Sequence, residues 1–341
     1  MPHRSGAPSS RAPYAQVGLG PGLCRLDSTG RRALPAGRPG TFVIVATRGL
    51  CKRYGRQTAL EEVDLAIPAG GVYGLVGRNG AGKTTLLAIL AGLRHPTSGA
   101  VELAVPRGQV GVCLDVPEFE PWLTAREVID LAAAMTSAAL PGSAGADLLG
   151  DAGLADAADR RVGGFSRGMR QRLALAATVV GSPKVLLLDE PCSALDPAGR
   201  ADVLDLMVRL AENATVVFST HVLADVERVC DTVGILHAGS LIYQGGLERL
   251  LSEHHHPAWR IRVRGAPEPV AERLRAEPWT ASAECLPEGH IRLEAVSSSA
   301  AEAGLADALA RAGARLVAVE PEAPDLEEVF LDLTAPVRIP T

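Results

Sequence analysis

The chain lacks any C-x-x-C pair. Its six cysteines, Cys24, Cys51, Cys113, Cys192, Cys230 and Cys285, stand far apart, which speaks against a zinc site or a disulfide scaffold and fits a reducing cytoplasm. Long apolar runs are missing too. Stretches such as Leu173 to Val180 and Val185 to Leu188 fall short of the roughly 18 to 20 residues that span a bilayer, so any pore must come from another chain. There is no surplus of positive charge. The net charge is −5, and the cations are mostly scattered arginines, which argues against a nucleic-acid stripe or a polybasic membrane anchor. The first residues are rich in Gly, Pro, Ser and Arg and lack the apolar core of roughly 7 to 15 residues found in a secretory signal. Residues 1–41 are therefore expected to form a disordered tail, with a processed targeting peptide or a misassigned start codon as alternatives. No internal repeat is visible.

What is present begins at Gly77. The run Gly77-Arg78-Asn79-Gly80-Ala81-Gly82-Lys83-Thr84-Thr85 fits G-x-x-x-x-G-K-[ST] directly after the apolar run Val72 to Val76. Glycines at 77, 80 and 82 let the backbone turn its N–H groups inward at the positive end of the following helix, and a triphosphate fits that nest. Lys83 would reach the β- and γ-phosphates, and the Thr84 hydroxyl would be a ligand of Mg²⁺. Downstream, Val185 to Pro191 supplies an apolar strand ending in two adjacent carboxylates. Asp189 would hold Mg²⁺ through water, and Glu190 would face the γ-phosphate and activate the attacking water.

The surrounding text alternates strand and helix. Strands are expected around a turn at Tyr54-Gly55-Arg56 and at Val72–Val76, Val110–Leu114, Val185–Leu188 and Ala214–Phe218. Helices are expected at Thr84–Leu93, Thr124–Ala139, Pro197–Asn213 and Val222–Cys230. Thr124 and Glu127 suit a capping box. That alternation implies an α/β fold with a largely parallel sheet and helices on both sides. A helical insertion is placed at about 118–168. The composition shifts through Ser-Glu-His-His-His-Pro, read as a linker at 251–258; adjacent His254, His255 and His256 diverge and lack a fourth ligand nearby. A second unit, 259–335, reads strand, helix, strand, strand, helix, strand, the order of ferredoxin-like α+β domains, before a tail at 336–341. Its last helix, Leu326 to Leu333, is expected to cover its own sheet, with crossing to a second copy of the chain as the alternative.

Taken in order, these residues resemble the ATP-binding-cassette (ABC) family, specifically the ATP-binding subunits of its drug-resistance type. Phe165-Ser166-Arg167-Gly168-Met169-Arg170-Gln171-Arg172 is similar to that family's signature segment, Ser193-Ala194-Leu195-Asp196 to its D-loop, and Ser219-Thr220-His221 to its switch histidine. The ending Asp325 to Leu331 is similar to that of the drug-resistance subset. The resemblance covers Val43 to about Leu250 and implies a P-loop ATPase of ABC type over 42–250. It further implies Tyr54 stacked on adenine, and Ser166 and Gly168 meeting ATP held by a second copy of the chain. His221 would act beside Glu190. Two departures stand out: Asp115 takes the place of a glutamine that contacts Mg²⁺ and water, and Arg167 and Met169 replace the usual glycine and glutamine.

ATP and Mg²⁺ are thus the expected cofactors. The leading expectation is a cytoplasmic ATPase subunit, peripheral on the inner face of the membrane, that powers an exporter through a separate integral-membrane permease, with no nucleic acid as partner. The segment Val116 to Leu123 would receive the permease through exposed Phe119 and Trp122. A soluble ATP-driven clamp on ribosome or DNA is the alternative, disfavoured by a single cassette without a basic surface.

Overall fold

In the computed structural model, residues 42–114, 118–136, 143–193, 195–254, 257–322 and 325–334 are described. The tails at 1–41 and 336–341, Asp115 and two of the three adjacent histidines, His255 and His256, lie outside them. β1 (Val43–Tyr54) and β2 (Gln57–Pro68) form one long antiparallel hairpin about the expected turn. β3 (Val72–Val76) leads into the glycine loop and α1 (Lys83–Leu90), and β4 (Ser98–Leu103) returns to pair with β1. Then follow β5 (Val110–Cys113), α2 (Ala125–Thr136), α3 (Ala144–Asp151), α4 (Arg167–Thr178), β6 (Val185–Asp189), α5 (Pro197–Ala211), β7 (Thr215–Thr220) and α6 (Leu223–Val229). β8 (Thr232–His237), β9 (Ser240–Gly246) and α7 (Leu247–His254) complete this part. α7 carries helix into the stretch expected as linker.

The main sheet has the order β5-β6-β7-β3-β8-β9, parallel except for the β8–β9 pair. Its central strands are buried throughout and largely apolar, with polar residues at the ends of β6 and β7, because both faces are covered. The two-residue period of a strand sorts them cleanly. Val72, Val76, Leu186, Leu188, Val216 and Phe218 enter one core, while Tyr73, Leu75, Val185, Leu187 and Val217 enter another. The first core is closed by α2 to α6. The second is closed by α1 and by the separate antiparallel sheet β2-β1-β4, through residues such as Leu50, Leu60, Leu65 and Ile67. The expectation of helices on both sides is therefore corrected on that face. Part of its cover is sheet, because the β1–β2 hairpin carries apolar residues such as Ile44, Val45, Leu50, Leu60, Val63, Leu65 and Ile67 into this core.

α2 begins where the sequence placed it. The Thr124 N–H donates to Glu127 Oε2 at 2.7 Å, and the Glu127 N–H donates to Thr124 Oγ1 at 3.2 Å, a reciprocal cap. Ser166 caps α4 and Asp196 caps α5 in the same manner, each accepting from the backbone three residues on.

The C-terminal unit runs β10 (Ala258–Val263), α8 (Glu268–Arg275), β11 (Thr280–Leu286), β12 (His290–Ala295), α9 (Ser298–Arg311) and β13 (Leu316–Glu322), with the antiparallel order β11-β12-β10-β13. It has its own core around Ile261, Leu274, Ile291, Leu293 and Leu309. The last helix, α10 (Leu326–Thr334), does not cover this sheet. Leu326, Val329 and Phe330 join the first core beside Val226, Leu247 and Leu250, and the Leu326 N–H donates to Glu227 Oε1 at 2.7 Å. An amphipathic pattern shows that one face of a helix is apolar without naming what will cover it. Arg292 on β12 holds the helix from the other side, donating at 2.7 Å to each of Glu322, Glu294 and Glu328. Phe330→Ala should leave an unfilled space between α10 and α6 and lower unfolding free energy by about 3 kcal/mol in urea titration.

Candidate functional site

β7 lies between β6 and β3, and its register is fixed: Asp189 pairs with Ser219, and Thr220 pairs with Val76. Parallel strands point their carboxyl ends the same way, so these neighbours discharge their following residues into one crevice. Gly77 to Gly82 leaves β3, Glu190 leaves β6 and His221 leaves β7 within that crevice.

The loop conformation depends on glycine where the backbone is crowded. Gly82, with φ +108°, has the Ala59 carbonyl oxygen 2.6 Å from where a Cβ would stand; Gly77 is pressed against the Leu236 carbonyl. Ala81 is buried, whereas Arg78, Asn79 and Gly80 are exposed. Lys83 opens α1, only 6% exposed, and its ammonium donates to the Gly77 carbonyl at 2.7 Å. It lies 3.2 Å from Glu190 Oε1, forming an ion pair across β7. Thr84 is exposed and Thr85 half-buried beside it.

Glu190 adopts φ +46°, a left-handed conformation that disfavours a residue with a side chain by about 1–3 kcal/mol. Ser219, fully buried on β7, holds it there: the Glu190 N–H donates to Ser219 Oγ at 3.0 Å, and that hydroxyl donates to Asp189 Oδ1. One serine thus ties both carboxylate residues to the neighbouring strand. His221 Nδ1 lies 2.8 Å from Glu190 Oε2, and since an ionised carboxylate only accepts, the ring carries its hydrogen on Nδ1. Lys83, Glu190 and His221 form one contact chain, with Asp189 attached through Ser219.

Other sequence-derived candidates stand apart from this chain. Ser166 Oγ accepts from the Met169 N–H at 3.2 Å in its own helix cap, and Gly168 lies beside Leu195; among the described residues, no hydrogen bond or ion pair joins Ser166 or Gly168 to the glycine loop. Tyr54 is exposed on β1 with Lys52 5.0 Å and Arg94 5.5 Å from its ring centre, and Arg94 donates to its hydroxyl at 2.8 Å. Asp115 lies outside the described residues.

Comparison with known proteins places this geometry in a lineage. Residues 60–193 match the ABC transporter family model. An uncharacterized ABC transporter ATP-binding protein of Bacillus subtilis, YxlF, is 35% identical over 294 residues, covering 84% of this chain and 98% of that protein. The chain belongs to the ABC transporter ATP-binding proteins. The YxlF match is longer than the stretch 42–250, so the kinship of this ABC protein extends into its C-terminal unit. The bacitracin transport ATP-binding protein BcrA of Bacillus licheniformis is 37% identical over 210 residues, 58% of this chain and 68% of that one. Among solved structures, an ATP-binding subunit of an ABC transporter superposes with a TM-score of 0.55 at 28% identity, covering 62% of this chain and 92% of its own. The fold is that of the ABC P-loop ATPases, and the protein is an ATP-binding ATPase subunit of that family.

Sequence reasoning missed what holds this ABC site from behind. Ser219 was legible only as a neighbour of His221, and nothing in local spacing pairs Arg200 with Asp225, which bond at 2.6 and 2.7 Å beneath the site. Cys192, two residues after Glu190, is buried there. Burial, reinforced by the nearby Asp225 charge, pushes its thiol up to about 12. Its thiolate fraction at pH 8 is then about one part in ten thousand. The native protein treated with iodoacetamide at pH 8 should be modified at exposed Cys285 and spared at Cys192 until it is unfolded, as read by peptide mass spectrometry.

Proposed function

We propose that two copies of this chain, seated beneath a separate integral-membrane permease, hydrolyse ATP to drive export of a drug-like or antibiotic cargo. The observation that carries the reading is the Lys83–Glu190–His221 contact chain at the carboxyl ends of adjacent parallel strands. It sets a cation suited to phosphate against a carboxylate suited to activating water.

In this reading the backbone of Gly77 to Thr85, with Arg78, Asn79, Gly80, Ala81 and Gly82 between, wraps the triphosphate, and Lys83 exchanges Glu190 for phosphate oxygens. Glu190 is then free to accept a proton from the attacking water. His221, held by its Nδ1–H hydrogen bond to Glu190, keeps Nε2 as an acceptor that orients that water; once protonated there as well, the imidazolium donates to charge developing on the phosphate. Tyr54 offers an exposed ring to the adenine. Ser166 and Gly168, on the surface at the start of α4, face the ATP of the second copy, so a sandwich of two nucleotides closes the pair.

The donor set fits Mg²⁺ arriving with ATP. Among the described residues, no group of three or more His, Cys, Asp or Glu side chains is placed to hold a metal by itself. A hydroxyl from Thr84 and the Asp189 carboxylate, with Asp115 assigned to the same task, suit an ion that takes its remaining ligands from phosphates and water. Bound there, the ion would neutralise charge on the β- and γ-phosphates.

We divide the chain into a cassette at 42–250, with the helical part at about 118–168, and a ferredoxin-like unit at 259–335 whose final helix returns to the cassette. The permease reading is supported by the family and by the exposed indole of Trp122 just before α2. Trp122 is 62% exposed, whereas Phe119 packs partly into the core, which corrects its expected exposure. No described helix is long and apolar enough to cross a membrane, and the chain is assigned to the cytoplasmic face of its permease. Outward transport rests on the C-terminal ending at Asp325 to Leu331, which is similar to that of the drug-resistance subset.

Glu190→Gln should lower ATP turnover by about 100-fold or more while the protein still binds ATP, measured by phosphate release and equilibrium dialysis; equal rates in both proteins would remove Glu190 from the mechanism. Trp122→Ala should leave hydrolysis intact and weaken co-purification with a polytopic membrane chain. Recovery of ribosomes instead of a permease would favour the soluble clamp.

A further inference from the structure

His221 sits at an exposed strand end, and after half-buried Val222 and Leu223 the next buried residues along the chain are Asp225 and Val226 on α6. α6 is short, and its first turn is fastened to the longer α5, which is itself rooted in the core by Val203, Leu204, Leu206 and Met207. The fastening is Arg200: its Nε and Nη2 donate to the two oxygens of Asp225 at 2.6 and 2.7 Å, and Asp225 is 3% exposed. Such a paired fork fixes orientation as well as distance. Glu190, Cys192, Arg200, His221 and Asp225 line one pocket, so the fork stands directly behind the carboxylate–histidine contact. Arg200 also follows Asp196, the cap of α5, by a single turn, and its N–H donates to the Asp196 carbonyl at 2.9 Å.

We propose that Arg200 and Asp225 are positioning residues for hydrolysis: their bidentate pair sets where α6 begins and so holds His221 within reach of Glu190. The proposal rests on the assignment of Glu190 and His221 to the hydrolytic step. Among the described residues, no hydrogen bond or ion pair joins Arg200 or Asp225 to the glycine loop, so loss of the fork leaves ATP affinity intact and acts on turnover alone.

The test uses the full chain. Arg200→Lys keeps the charge and loses the fork; a paired Arg200→Met, Asp225→Leu variant removes both charges together, so neither is left buried without its partner. Each is also made in a His221→Ala background, with the fold checked by circular dichroism and thermal melting. We expect kcat for ATP to fall about 5- to 10-fold in both variants, with the dissociation constant for ATP within about twofold of wild type. In the His221→Ala background, single-turnover rates should fall no further, because the pair acts through that histidine. Unchanged kcat in a folded variant, or losses that multiply in the His221→Ala background, would overturn the proposal. Wild-type turnover by His221→Ala and Glu190→Gln proteins would instead defeat the assignment beneath it. If Arg200→Lys does not fold, the Met/Leu pair carries the same comparison.

Discussion

A cation removed from water needs a partner, and Lys83 has been given one from another strand. Its ammonium is nearly buried between the Gly77 carbonyl and the Glu190 carboxylate, and each of those contacts constrains a different part of the chain. The glycine loop must curl tightly enough to present a carbonyl to its own lysine. β6 must end level with β3 across β7, and Glu190 must take up a left-handed backbone that points its side chain inward. Ser219 then fixes the two carboxylate residues by one hydroxyl that accepts and donates at once. A phosphate group would compete with Glu190 for the same ammonium. In the proposed reading, binding of ATP and release of the Glu190 carboxylate would be a single exchange of partners.

The packing behind the crevice decides how rigid it is. Strand periodicity divides the sheet into two cores, and the face carrying α4, α5 and α6 also receives α10 from beyond the C-terminal sheet. α6 is thereby held by Arg200 from α5 and by the Leu326 amide of α10 on Glu227, a few residues after His221. Arg292 links α10 back to β12 and β13 through three carboxylates. The C-terminal unit is thus mechanically continuous with the helix that follows the histidine, although its own core is separate.

Much of this was legible in the sequence because it depends on local pattern. The glycine spacing from Gly77 to Lys83, the apolar run ending at Asp189 and Glu190, and the Thr124–Glu127 cap are each determined within a few residues. What escaped depends on partners distant in the chain. β4 has no buried residue and carries little apolar signal, while β8 follows α6 after only Cys230 and Asp231 and β9 is mostly half-buried. The Arg200–Asp225 fork joins residues on two helices without any spacing rule. The apolar stripe of α10 was visible, but only the fold shows that it lies against α6 and α7.

The central claim is that Glu190 and phosphate exchange places on Lys83, and isothermal titration of ATP into wild-type and Glu190→Gln protein tests it most directly. Replacing the carboxylate by an amide removes the internal competitor for the ammonium, so the account predicts about tenfold tighter ATP binding by the variant. Equal or weaker binding by folded Glu190→Gln protein would contradict it.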